Sequence, residues 1–337
     1  MRAIVQEEYG PHREVLRLCE IPSPVPGPGQ VLVRVRATSV HADVWHAVTG
    51  VPYVLRLMGS GLRAPKQPVP GTDLAGEVVG LGPGAAAFAP GDRVFGEVTA
   101  RNQWGNAGTF AELAAVDETL LARIPETLSF EQAAAVPTAA LIALVNLRDQ
   151  GRVAAGQRVL VNGAGGAVGV WAVQLAKYFG AEVTAVDGPA KLDLLRALGA
   201  DRVIDYTQQD FTRLGLRVDL VLDIVSQAPF SDVRRALEPD GTFVLVGHDQ
   251  YGRSGHRVLG SLRRMLPLMA LSPFVKQLPG VRPGPPRREN WATLVDLLGQ
   301  GRVRPVVDER VFPLEQAAEA IDYLASGVAR GRVVLTV

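Results

Sequence analysis

Apolar and polar positions alternate with a period of two through residues 31–40, VLVRVRATSV. Val31, Val33 and Val35 fall on one face, and Leu32, Arg34 and Arg36 on the other. That period predicts a strand with one buried face. Short apolar runs bounded by glycine follow: GEVVGLG (76–82), GDRVFGEV (91–98) and GTFAELAAV (108–116), separated by turns such as Pro90-Gly91-Asp92. Short strands with turn signals between them suggest a small barrel or sandwich. The pattern changes near Leu128. Ser129 stands three residues before Gln132, the spacing of a capping box, so SFEQAAAV predicts a helix that Pro137 interrupts. Thr138 is placed to cap a second helix over 139–150, closed by Gly151.

From Gln157 onward strands and helices alternate. Strands are expected at 158–162, 182–187, 202–206 and 218–225, and helices at 167–179, 190–198 and 230–237. A turn at Pro239-Asp240-Gly241 leads into a further strand, 242–247. Continuously apolar strands alternating with helices indicate a parallel sheet covered on both faces. Helices over 291–298 and 313–326 and a strand over 332–337 close the chain. Residues 250–288 differ, with eight Arg or Lys and no Asp or Glu. There Leu259, Leu262, Leu266 and Met269 share one helical face, with Arg263 and Arg264 off it. The segment reads as a solvated dimer-edge insertion, a rim steering anionic substrates, or a patch meeting anionic lipid.

At 337 residues the prior is two domains. With 47% hydrophobic and 20% charged residues, the chain is not disordered and has ample material for a core. A net charge of +1 speaks against a nucleic-acid partner. The single cysteine, Cys19, excludes an internal disulfide and a multi-cysteine metal cluster. His41 and His46 are five apart, unlike the i, i+4 pair of a helical zinc site, and no metal is expected. The N-terminal sequence does not read as a secretory signal, and no uninterrupted 18-residue apolar stretch occurs. A cytoplasmic location without integral membrane association is therefore expected.

The sharpest motif is VLVNGAGGAVG, 159–169, lying between an expected strand and an expected helix. The strict G-x-G-x-x-G template fails, because its last position falls on Val168. Read as G-x-x-G-x-x-G, the loop matches with Gly163, Gly166 and Gly169. Such a loop makes a tight turn, admits a pyrophosphate and packs the helix closely on the strand. The helix start at Ala167 and Val168 offers free N–H groups and the positive end of the helix dipole. Asp187 ends the next strand, 18 residues beyond Gly169, near the spacing of an acid that holds the adenine ribose. Asp187 favours NAD(H). Lys191, four residues on, would neutralise a 2′-phosphate and favours NADP(H), although it also reads as a solvated helix-face charge. Thr138, with Val246, Gly247 and His248 at the carboxyl edge of the strand TFVLVG, completes the expected cofactor contacts.

The segments PGPGQVLVRVRATSV, VPGTDLAGEVVGLG, FAPGDRVFG, GTFAELAAV, LSFEQAAAVP, VLVNGAGGAVG, LGADRVIDY and ARGRVVLTV together resemble the medium-chain dehydrogenase/reductase superfamily. The likeness is greatest to its zinc-free quinone oxidoreductase branch. The resemblance implies an α/β chain with a GroES-like β-rich catalytic domain (1–125 and 285–337) and a Rossmann domain, a doubly wound parallel sheet (126–284). It also implies an active-site cleft between them and a homodimer. Zinc-dependent members carry a cysteine in the region reading SVHADVWH here, and Gly-His-Glu where this chain has Gly71-Thr72-Asp73. Quinone reductases often have Asn-Pro where His41-Ala42 stands, and many have a threonine at Ile142. Tyr206 matches a tyrosine at the adenosine end of the cofactor, near the lysine matched by Lys191, which supports NADP(H) against Asp187.

The chemistry this implies is hydride transfer from the nicotinamide to a quinone or an α,β-unsaturated carbonyl. A donor beside the substrate oxygen lowers that barrier. The candidates are His41, Trp45 and Tyr53, in the segment that walls the cleft in this family. Two alternatives stay open: a zinc-free alcohol dehydrogenase, and a nucleotide-binding protein without catalysis, as some crystallin relatives serve.

Overall fold

The computed structural model describes residues 1–99, 105–247, 251, 256–280 and 282–337. Its strands are β1 (Arg2–Val5), β2 (Arg17–Glu20), β3 (Gln30–Val40), β4 (Asp73–Leu81), β5 (Arg93–Glu97), β6 (Leu113–Asp117), β7 (Leu121–Arg123), β8 (Arg158–Asn162), β9 (Glu182–Asp187), β10 (Arg202–Asp205), β11 (Val218–Asp223), β12 (Leu237–Leu245), β13 (Phe312–Pro313) and β14 (Val333–Thr336). They fall into two compact units. The first comprises Met1–Thr138, Arg287–Gly299 and Pro305–Val337; the second comprises Ala139–Pro286 and Gln300–Arg304.

In the first unit a seven-stranded sheet runs β13-β14-β3-β4-β5-β7, with β6 also on β3. β3 is its organising strand. Its period-two pattern holds over the first half, where Val31, Val33 and Val35 are buried and Arg34 and Arg36 are exposed. Those valines pack with Leu74, Val78, Val94 and Val116. From Ala37 to Val40 every residue is buried, because here β3 pairs with both β4 and the C-terminal β14. A second cluster, including Val40, Val44, Val48, Phe110, Phe312 and Ile321, fills the space between the helix Ala42–Thr49 and the C-terminal segment. Ser129 and Gln132 close the expected capping box. The short helix they start, Phe130–Ala134, packs on β3 and β4. Residues 126–138 therefore fold with the first unit, whereas the expected boundary was at 126.

The second unit is a parallel sheet in the order β10-β9-β8-β11-β12. Successive strands step outward from β8 to β10, and the chain then returns to the other side of β8. The reversal between β8 and β11 is the point where ligands of doubly wound sheets bind, beyond the carboxyl ends of the strands. Three sequence expectations shift. The helix expected from 139 starts at Pro137; proline suits the first turn because its missing N–H has no helical partner there. The expected turn at 239–241 lies within β12, as a register shift against β11. The helix at Leu262–Leu271 forms, but Leu266 and Met269 are each 52% exposed. Leu268 is half-buried and packs with the core of this unit.

Candidate active site

The glycine loop leaves β8 at Gly163, whose φ is +86°. A Cβ there would also stand 2.6 Å from the Val225 side chain. At Gly169 a Cβ would lie 2.2 Å from the Gly163 carbonyl oxygen, so this glycine lets the helix Ala167–Tyr178 press against the loop. Gly166 differs, since a Cβ would meet nothing closer than that same oxygen at 3.6 Å. Gly166 is the N-cap of the helix, and no side chain caps it. The first-turn N–H groups of Ala167 and Val168 thus lie uncapped by any side chain at the positive end of the helix. These features fit the pyrophosphate of a nicotinamide dinucleotide.

Asp187 ends β9. One carboxylate oxygen accepts the Gly165 N–H at 2.7 Å and the other the Gly188 N–H at 2.8 Å. Lys191 folds across Gly165, where a Cβ would meet its side chain at 2.6 Å. Its Nζ is 3.9 Å from Asp187 Oδ1, and both side chains are 12% exposed. The Tyr206 ring lies over Gly188, 3.5 Å from where a Cβ would stand, and is otherwise exposed. Asp187, Lys191 and Tyr206 therefore form one cluster beside the loop. Sequence reasoning missed Asp223, buried at the end of β11. Its Oδ1 accepts from Asn162 and from the Ser226 N–H, while Oδ2 has no partner. Burial pushes its carboxyl up, against those bonds. The Val246 and Gly247 amides both donate to the Asp223 carbonyl, holding the carboxyl end of β12 against that of β11. His248 lies outside the described residues.

In the first unit, polar side chains gather at one edge of the sheet, where β3 and β5 end and β4 begins. Gly71 takes a φ of +88°, and a Cβ on it would strike Thr109 and Phe110. The turn delivers Thr72 and Asp73 into the interior, 2% and 0% exposed. Asp73 Oδ1 accepts the Thr138 hydroxyl at 2.5 Å and its amide at 3.3 Å. Oδ2 accepts Ser39 at 2.8 Å and the buried Arg332 guanidinium. Arg332 also donates to Ser39 Oγ at 3.0 Å. Glu97 ends β5, where Arg287 and Thr99 donate to it at 2.6 and 3.0 Å. Burial and the Asp73 charge push the Glu97 carboxyl up, in spite of Arg287.

His41, just beyond β3, is 5% exposed. Its Nε2 is 2.7 Å from Thr72 Oγ1. Its Nδ1 is 3.3 Å from Asp43 Oδ2, off the line of a hydrogen bond and without another partner. Burial pushes the Asp43 carboxyl up, but the neighbouring His41, with the charges of His46 and Arg332, outweighs it and holds it low.

Of the expected donors, the structure brings only His41 into this cluster among the described residues. Trp45 packs on the apolar cluster of the first unit and meets His46 edge-on, with ring centroids 5.1 Å apart. Tyr53 is 40% exposed and stacks against the Arg56 guanidinium. Thr138 gives both its hydroxyl and its amide to Asp73. Asp43, Thr72 and Asp73 were not singled out as site residues by spacing; the one signal was that Thr72-Asp73 replaces the His-Glu of zinc-dependent relatives.

Comparison with known proteins places these sites in context. Residues 27–126 match the family model described as alcohol dehydrogenase GroES-like domain, and 198–335 match the one described as zinc-binding dehydrogenase. The chain is 31% identical to the chloroplastic quinone-oxidoreductase QR1 of Triphysaria versicolor, over 99% of this chain and 98% of that one. It is 35% identical to the 2-methylene-furan-3-one reductase of Solanum lycopersicum, over 81% of this chain and 64% of that one. A solved structure named as an NAD-dependent alcohol dehydrogenase matches all of both chains, with a TM-score of 0.81 and 31% identity. No group of three or more His, Cys, Asp or Glu placed to hold a metal occurs among the described residues, and His41 Nε2 is taken up by Thr72. No described helix is long and apolar enough to cross a membrane.

Proposed function

The chain belongs to the medium-chain dehydrogenase/reductase superfamily, in its quinone oxidoreductase-like branch, and from that premise we propose that it reduces a quinone or an α,β-unsaturated carbonyl with a nicotinamide dinucleotide, without zinc. The observation that carries this reading is the uncapped glycine loop at the reversal of a parallel sheet. It is supported by a polar cluster of hydroxyl, imidazole and carboxylate at the positions where zinc-dependent relatives keep ligands. The bound cofactor would supply the hydride. Gly166, Ala167 and Val168 would hold its pyrophosphate through their amides, and Lys191 and Tyr206 would meet the adenosine end.

A preference for NADP(H) follows from Asp187. Both its oxygens are engaged by loop amides, and Lys191 offsets its charge from beside the loop. Asp187 then shapes the loop, and Lys191 is the group free to turn towards a 2′-phosphate. A homodimer and a cytoplasmic location belong to the same proposal, on family resemblance. The second reading, zinc-free alcohol dehydrogenation, has in its favour the printed name of the solved structure that matches the whole chain.

The test is loss of nicotinamide absorbance when purified protein meets NADPH or NADH with a small benzoquinone, a cyclic enone, or, in the reverse direction, a simple alcohol. Turnover of quinone or enone preferring NADPH is expected. Turnover of the alcohol alone would replace the reading with the second one, and cofactor binding without turnover of any acceptor would leave a non-catalytic binder.

A further inference from the structure

We propose that Thr72, His41 and Asp43 form a proton relay that delivers a proton to the oxygen of the reduced substrate, in place of a metal; this rests on the hydride-transfer reading above. Three observations carry it. Thr72 Oγ1 and His41 Nε2 are 2.7 Å apart, and both residues are buried. His41 Nδ1 is buried without an aligned partner, and the Asp43 carboxylate stands 3.3 Å away. A small rotation of Asp43 closes that bond and completes a hydroxyl–imidazole–carboxylate chain, an arrangement that uses each group for orientation and charge. The Thr72 hydroxyl has no acceptor among the described residues apart from the imidazole, so its proton is available to a ligand.

The atoms balance as follows. With both ring nitrogens protonated, His41 donates through Nε2–H to Thr72 Oγ1, and Nδ1–H faces Asp43. A bound nicotinamide would supply the hydride, two electrons and a hydrogen nucleus, to the substrate carbon. The carbon–carbon or carbon–oxygen π pair moves to the substrate oxygen, which becomes an enolate or phenolate. The Thr72 O–H proton passes to that oxygen while the Nε2 proton passes to Thr72. His41 is left neutral, Asp43 stays ionised throughout, and water later returns the proton to His41. Thr72 is the catalytic residue that touches substrate. His41 supplies the proton through it, and Asp43 positions the ring.

The experiment compares wild type with Thr72→Val, Thr72→Ser, His41→Gln and Asp43→Asn, using NADPH and whichever acceptor the wild type reduces. Each protein is also measured for NADPH affinity by fluorescence and for its thermal unfolding midpoint. Positioned acid–base groups contribute about 10²–10⁴-fold. Thr72→Val and His41→Gln are therefore expected to lose about a hundredfold or more in kcat, with KM and NADPH affinity within about threefold of wild type. Thr72→Ser, which keeps the hydroxyl, retains most of kcat. Asp43→Asn lowers kcat and leaves KM. The solvent deuterium isotope effect on kcat seen in wild type and Thr72→Ser disappears where proton delivery is lost. His41→Gln guards against misfolding, because its amide can still donate to Thr72 but has no proton to give up. A wild type that turns over while Thr72→Val or His41→Gln matches it in kcat overturns the relay alone. A wild type that binds NADPH and reduces no acceptor overturns the functional reading and the relay with it.

Discussion

Removing Arg332 tests the logic of the buried network most directly. Arg332 and Asp73 are 2% and 0% exposed, and they join the start of β14 to the start of β4 through Ser39 on β3. Arg332→Met keeps much of the side-chain volume and takes away the countercharge. Asp73 still receives Ser39 and Thr138, but its ionised carboxylate is left unpaired in the interior. Breaking one side of a buried pair costs about 3–5 kcal/mol. With a urea m-value of about 3 kcal/mol/M, the upper end of the usual range, the midpoint falls by about 1–2 M. The sign of the double variant carries the argument. Asp73→Asn/Arg332→Met removes both charges and keeps an amide oxygen for one hydroxyl, while the amide NH2 can donate to the other hydroxyl's oxygen, so it is expected to be more stable than Arg332→Met by about 2 kcal/mol, within the range of coupling between contacting residues. Peptide-resolved hydrogen exchange across β3 and β4, measured against urea, reads the first unit without interference from the second. NADPH binding at the glycine loop serves as a control and should not move. If the double variant loses the sum of the two single losses, an unpaired buried charge is not the cost, and the cluster is held by shape rather than by electrostatics.

Three further outcomes are expected. Gly169→Ala places a Cβ 2.2 Å from the Gly163 carbonyl oxygen, so the helix must shift; a stability loss of about 1–3 kcal/mol and at least tenfold weaker NADPH binding by fluorescence titration follow, and wild-type affinity would refute the packing role. Lys191→Ala should weaken NADPH by about 10–100-fold, the value of one charge-assisted bond of about 1.5–3 kcal/mol, while leaving NADH nearly unchanged; equal losses for both cofactors would remove Lys191 from the 2′-phosphate. Glu97 carries its proton more tightly folded than unfolded, since burial and Asp73 raise its carboxyl. Its contribution to stability is therefore full below the ordinary carboxylate range and declines as pH rises towards the raised folded value; Glu97→Gln should flatten that part of the stability–pH curve, and an unchanged slope would refute it.

Legibility in the sequence followed the range of the forces involved. β3 and the strands β8 and β9 could be read because period and apolar runs are local, and the glycine loop because Gly163 and Gly169 answer steric demands within a few residues of themselves. The pair cluster could not. Arg332 and Asp73 are 259 positions apart, and His41 and Thr72 are 31 apart, so no window of the chain contains either contact. The helix Leu262–Leu271 shows another limit. Periodicity found its apolar stripe of Leu266 and Met269, but Leu268 offers a second apolar direction, and tertiary packing chose that one. The turn expected at Pro239-Asp240-Gly241 falls instead inside β12, where a register shift absorbs it without ending the strand.

The location of the catalytic candidates follows from the antiparallel sheet of the first unit. β3 runs towards His41, β4 runs away from Thr72, and β5 runs towards Glu97, so the register that pairs Thr38 with Leu74 and Asp73 with Glu97 brings three chain segments to one edge. A strand end is a rigid platform, and buried side chains there have little rotamer freedom left to lose. That suits a proton donor, whose contribution depends on a distance held to within a few tenths of an ångström. The adenosine-end candidates obey a different requirement. Lys191 follows the turn after β9 and lies across Gly165; on the reading proposed above, its ion pair with Asp187 would have to be weak enough to exchange for a phosphate. The 3.9 Å separation of that pair, against the buried contact of Arg332 with Asp73, is the difference that reading expects between a pair that would open on binding and one that holds the fold.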